Sequence, residues 1–169
     1  MVQYKKETWH NKSNYWLAQA GLTDLTPVAI LRNPWARALS LYLFCLEQSS
    51  EKILEQSWIH QQLIRQGFKG SWMPGGYFVN GHGRSIEYDA KTGRAWAQDD
   101  TQASWLHQKT KYFRLEDQLQ EACDFMGIDG PSKANTTTHS QYRDYYDDEL
   151  KERIATLFAE DIKLGGYIF

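Results

Sequence analysis

Very little in this chain of 169 residues could cross-link it, anchor it or give it a broad field of one charge. Cysteine is nearly absent. Cys45 and Cys123 are the only two; they lie far apart and give neither a disulfide framework nor a metal-ligand spacing. Each falls in an apolar helical pattern and reads as a small buried hydrophobe, which fits a reducing compartment. No apolar run approaches the roughly 18 residues of a membrane-spanning helix, and no secretory apolar region opens the chain. A cytoplasmic location is the expectation. The net charge is −2, so no overall basic field would hold a nucleic-acid backbone. Any anionic ligand must be caught by a local cluster of donors. H-E-x-x-H, G-x-S-x-G and G-x-x-x-x-G-K-[ST] do not occur, so no metal is expected. There are no repeats and no low-complexity tracts.

What the chain does have is a globular balance, 41% hydrophobic and 24% charged, at a length suited to a single domain over 1–169. Aromatics are abundant, with seven Trp and ten Tyr, as expected of amphipathic surfaces lining a cleft or interface. A short helix is predicted from Trp9 to Ala20, ending at Gly21. Thr26 to Leu31 reads as a buried strand, apolar and too short for a helix. Asn33 and Pro34 then suit the N-cap and first position of a helix running to about Glu47. A third helix follows over 51–66, with Gly67 as its stop. The segment 68–100 reads as an irregular insertion over the core, with short strands at Tyr77–Val79 and Ser85–Tyr88 around a hairpin. Lys111 to Leu115 is a second core strand, followed by a helix over 116–126 ended by Gly127. One long closing helix is predicted from Asp147 to Leu164, acidic at its start. Strands alternating with helices imply an α/β architecture with a parallel sheet.

Arg32 stands at the seam between the first strand and the helix after it. In open parallel sheets ligands bind beyond the carboxyl ends of the strands. A guanidinium there, a helix N-terminus with its free N–H groups, Arg37 one turn in and Ser40 a turn further suit a phosphate or sulfate group. The alternative is that Arg32 pairs with a carboxylate such as Glu116 and only ties strand to strand. Both readings are open from the residues alone.

The pattern Arg32-Asn33-Pro34-Trp35-x-Arg37-x-x-Ser40-x-Tyr42 resembles the 3′-phosphate-binding strand and helix of the sulfotransferase family, which uses 3′-phosphoadenosine 5′-phosphosulfate (PAPS). Two further blocks in the same order are similar to carbohydrate-type and bacterial members. One is Gln102-x-Ser104-Trp105-Leu106 with Tyr112-Phe113-Arg114-Leu115-Glu116-Asp117. The other runs from Asn135-x-x-x-His139-x-x-Tyr142-Arg143 to Leu157-Phe158-Ala159-Glu160-Asp161-Ile162-x-Leu164-x-Gly166-Tyr167. The resemblance implies a P-loop-NTPase-like sulfotransferase fold. It implies that Arg32 and Ser40 hold the 3′-phosphate of PAPS or of its product PAP, with Arg37 and Arg143 as further anion contacts. Trp35 and Tyr42 are expected to pack rather than bind. No metal is implied, and a carbohydrate or similar hydroxylated acceptor is.

The family's other signature is a first strand and a Lys-, Gly- and Ser/Thr-rich loop that cradles the 5′-phosphosulfate. Only thirty-one residues precede Arg32, and none forms such a loop. Sulfuryl transfer places negative charge on the leaving phosphate and the sulfonyl oxygens, where positioned donors lower the barrier. The expectation is thus a chain that keeps the nucleotide-holding half of the site without the chemistry-bearing half. It would be either a shortened enzyme or a non-catalytic nucleotide- or anion-binding relative. A missing strand would also leave a core sheet edge that a homodimer could cover. His10 is the candidate general base, since an imidazole titrates near neutrality.

Overall fold

The computed structural model describes residue 21 and residues 24–51, 56–79, 88–89, 94–95, 101–106, 108–130 and 140–169. In chain order the elements are β1 (Val28–Leu31), α1 (Pro34–Glu51), α2 (Gln56–Trp72), β2 (Tyr88–Asp89), β3 (Arg94–Ala95), β4 (Lys111–Arg114), α3 (Leu119–Met126), α4 (Asp148–Leu157) and α5 (Ala159–Gly165). Short 3-10 turns lie at Ala103–Trp105 and Tyr142–Tyr145. The helix predicted over 9–20 lies outside the described residues. The protein is α/β, with a small parallel sheet flanked by helices, and its chain divides into two compact units.

The first unit comprises 1–33, 100–133 and 160–167. Its sheet pairs β1 with β4 in parallel, from Val28 opposite Lys111 to Leu31 opposite Arg114. Side chains alternate across a strand, so Ile30 and Phe113 share one face, while Leu31 and Arg114 share the other. Phe113 is buried and packs on Phe125 of α3, ring centroids 5.7 Å apart. Ala122 and Cys123 are the buried residues of α3. The predicted apolar stripe of that helix is only half used, because Phe125 and Met126 remain exposed. In β1, likewise, only Leu31 is buried, whereas the sequence led us to expect a buried strand throughout.

The second unit comprises 34–99, 134–159 and 168–169. Leu39 of α1, Leu63 of α2, and Leu150 and Ile154 of α4 are all fully buried, so three helices supply its core. Truncating any one of these to Ala removes apolar contacts worth about 2–5 kcal/mol. Trp35 and Tyr42 pack, as expected: both are buried, and their polar groups meet main-chain carbonyls. The Trp35 indole donates to the Lys151 carbonyl at 3.0 Å and the Tyr42 hydroxyl to the Leu63 carbonyl at 3.3 Å. Cys45 is also buried, which pushes its thiol up to about 12 and leaves it unreactive near neutral pH.

Three boundaries differ from the sequence expectation. Gly67 does not end the second helix. It breaks it, with φ 65° and ψ −178°, and the helix resumes to Trp72 with the Ser71 hydroxyl donating back to the Gly67 carbonyl at 2.7 Å. The strand expected at Tyr77–Val79 is a run of turns, because Tyr77 and Phe78 turn inward as an aromatic cluster. The Phe78 ring stacks on Trp72 with centroids 4.5 Å apart. Of the second expected strand, Ser85–Tyr88, residues 85–87 lie outside the described residues, and Tyr88–Asp89 pairs antiparallel with Arg94–Ala95. The closing helix is two helices, interrupted at Phe158 (φ −117°, ψ 32°). The Asp147 carboxylate caps the first of them, accepting from the Leu150 N–H at 2.9 Å, as an acidic N-cap should.

Candidate functional site around Arg32

The end of β1 is held by side chains rather than by more sheet. The last rung of the ladder is the Leu115 N–H donating to the Leu31 carbonyl at 2.7 Å. Along an extended chain, successive residues turn their peptide groups to opposite sides, so Arg32 presents both of its own to the edge of β1 that faces away from β4. There the Gln102 side-chain amide meets them like a single residue of a third strand. Its Oε1 accepts from the Arg32 N–H at 2.9 Å, and its Nε2 donates to the Arg32 carbonyl at 2.8 Å. The next N–H, that of Asn33, donates to Glu116 Oε1 at 2.7 Å. Four consecutive main-chain groups, from the Leu31 carbonyl to the Asn33 N–H, are thus fixed.

Gln102 is fixed in turn by Asp161 of α5. This carboxylate is 1% exposed and accepts from the Gln102 N–H at 2.9 Å and the Ala103 N–H at 2.8 Å, with Gln102 Nε2 at 3.4 Å. It occupies the N-terminal end of the 3-10 turn, where free N–H groups favour an anion. A buried carboxylate requires such bonds to be tolerated.

The Arg32 side chain is half-buried and makes no hydrogen bond or ion pair among the described residues. Burial lowers its pKa and the Glu116 charge partly offsets this; a guanidinium stays protonated regardless. Glu116, the carboxylate that could have neutralised it, therefore supplies a field but not a salt bridge: one of its oxygens is committed to the Asn33 N–H. The contrast with Arg114 is direct. That guanidinium is tied to Asp117 by bonds of 2.6 and 2.8 Å and reaches the Gly165 carbonyl at 3.3 Å. Burial, together with the neighbouring Glu116 carboxylate, raises the pKa of Tyr167. Its ring covers Gly165, where a Cβ would overlap it.

Arg37, Ser40 and Arg143 fall in the second unit, so their convergence with Arg32 on one phosphate stands as an expectation. Arg37 lies over the Phe158 ring at 5.5 Å, and Ser40 is half-buried on α1. Arg143 is exposed and sits over the rings of Tyr142 (5.3 Å) and Phe169 (5.9 Å). His10 lies outside the described residues, as do His82, His107 and His139. His60 is described, and its Nδ1 meets the Leu46 carbonyl at 3.2 Å.

Gln102 and Asp161 were not legible as site residues. Gln102 lay in a block matched to the sulfotransferase pattern without a role of its own, and Asp161 fell near the end of the one long closing helix expected from Asp147 to Leu164. Only its near-complete burial sets Asp161 apart. Among the described residues no group of acidic, His or Cys side chains is arranged to hold a metal ion, and no helix is long and apolar enough to cross a membrane. No protein-family model, curated protein or solved structure matches the chain.

Proposed function

We propose that this chain is a sulfotransferase-like domain that holds the 3′-phosphate of PAPS or PAP through Arg32. The observation that carries the reading is a guanidinium without a partner among the described residues, at the carboxyl end of a parallel strand, on a peptide fixed at both faces. A planar, permanently charged fork on a rigid base is the group best suited to two oxygens of a phosphate. The ordered resemblance of three sequence blocks to sulfotransferases selects the nucleotide among phosphates. Ser40, Arg37 and Arg143 are its further contacts in this reading. In turnover the oxygen of a carbohydrate hydroxyl would attack sulfur, the bond from sulfur to the 5′-phosphate oxygen would break, and His10 would take the hydroxyl proton. Nucleotide binding, which rests on Arg32, is the primary assignment and transfer the secondary one.

Calorimetric titration with PAP tests the first. Saturable binding that Arg32→Ala weakens by about a hundredfold, the scale of losing a charge-assisted bidentate contact, supports it. No heat at millimolar PAP removes it. Transfer from PAPS to a panel of glycans tests the second, and the absence of any sulfated product while PAP binds leaves a nucleotide-binding module without catalysis.

A homodimer has an observation of its own. The sheet has two strands among the described residues, and Ile30 and Tyr112 on it are 37% and 40% exposed. A second copy of the chain is the occupant this edge would take. Because Gln102 already fills the edge at Arg32, pairing would run through Val28 and Ile30. Light scattering after size exclusion should then give twice the chain mass, reverting to one in Ile30→Lys; a single-chain mass at high concentration eliminates the dimer.

A further inference from the structure

We infer that Gln102 is the positioning residue of the Arg32 site, and that Asp161 sets Gln102, so that anion affinity depends on the seating of the closing segment 160–167. The inference rests on Arg32 being the anion donor and adds the residues that make it one.

The strand itself cannot hold Arg32. The β1–β4 ladder ends at the Leu31 carbonyl, and the Arg32 peptide faces the opposite edge. An exposed Arg32 N–H and carbonyl would be solvated, and the backbone would be free to turn the guanidinium away. Gln102 prevents this because its amide is one of the few side-chain groups that offers an acceptor and a donor side by side. It reproduces both bonds of a neighbouring strand at 2.9 and 2.8 Å. A carboxylate would lack the donor and an aliphatic side chain would lack both. The orientation of that amide is not left free either: Nε2 also faces Asp161 Oδ2 at 3.4 Å, which requires the nitrogen on that side. The same carboxylate holds the Gln102 and Ala103 N–H groups. Holding a binding group in place beforehand raises affinity by reducing what must be ordered on binding.

The experiment compares the full chain with Gln102→Met, which keeps length and volume but neither bond. PAP affinity by calorimetry and the hydrogen exchange of the Arg32 amide by NMR are measured on both. Leu63→Ala, in the core of the other unit and on a helix that carries none of the proposed contacts, serves as a control for lost stability alone. The expected result is a PAP affinity weaker by about tenfold or more and faster Arg32 exchange in Gln102→Met, with affinity unchanged in the control. Should Gln102→Met fail to fold, Asp161→Asn carries the same comparison. Wild-type binding with an affinity in Gln102→Met within twofold of it overturns the inference, as does an equal loss in the control. If the wild type binds no PAP, the nucleotide reading falls by itself. The clamp is then decided by exchange alone: unaltered Arg32 exchange in Gln102→Met overturns it, and faster exchange supports it.

Discussion

Arg114 ends β4 and Arg32 follows the last residue of β1, and their different fates come from where the nearest carboxylate is committed. Asp117 follows Arg114 by one turn and forms a two-point pair with it. Glu116 is spent on the Asn33 N–H. A residue's availability for ligand is thus decided by a neighbour's hydrogen bond rather than by its own identity. The sequence could place Arg32 at a strand end and name Glu116 as its rival, but it could not say which way that carboxylate would turn. Carboxylate commitments also give the chain an acid response. Asp147 accepts from Lys69 at 2.8 Å and from the Leu150 N–H, and its pKa is held below the ordinary carboxylate value. A folded pKa below the unfolded one contributes stability that is complete above about pH 4 and is lost as pH falls through the folded value. The urea midpoint of Asp147→Asn should therefore be lower than wild type at pH 6 and converge on it as pH falls through the folded value. A constant gap between the two curves would mean that the charge of Asp147 is irrelevant. Added salt should narrow the gap at pH 6, since the pair with Lys69 is exposed.

Helix boundaries show most plainly what a linear pattern can and cannot carry. Gly127 ends α3 and Asp147 caps α4, as their residue types indicate. Gly67 looks the same in sequence and does something else. Its φ of 65° with ψ near 180° is a conformation that essentially only glycine adopts, so the helix turns there and continues. Nothing local distinguishes a stop from a kink; the packing of residues after the glycine does. Phe68 contacts Tyr42 and Tyr146 at centroid distances of 5.5 and 5.2 Å, and Lys69 reaches both Asp147 and Glu149. Gly67→Ala should cost about 1–3 kcal/mol, the usual strain of forcing an L-residue into such a region. A variant with wild-type thermal stability would show that the kink relaxes without penalty. The inward turn of Tyr77 and Phe78 was hidden for a related reason. Aromatics five and six residues from Trp72 read equally well as strand or as core, and only the tertiary partner chooses.

Across the whole chain, composition indicated a globular protein, and the order of strand and helix patterns indicated an α/β architecture with a parallel sheet, which β1 and β4 form. A near-neutral chain holds an anion only where a few donors are built into place, and the side-chain bonds that fix the Arg32 peptide, the proposed place, join residues 32, 102, 116 and 161. Such long-range bonds leave no periodic trace, so the strand end was legible and its supports were not. The most direct measurement is the NMR signal of the Arg32 side-chain Nε–H during titration with PAP. If Arg32 receives the phosphate, that resonance shifts saturably with the same Kd as calorimetry, and Arg32→Ala abolishes the binding. A resonance that stays in place at millimolar PAP, or nucleotide binding that survives Arg32→Ala unweakened, would contradict it.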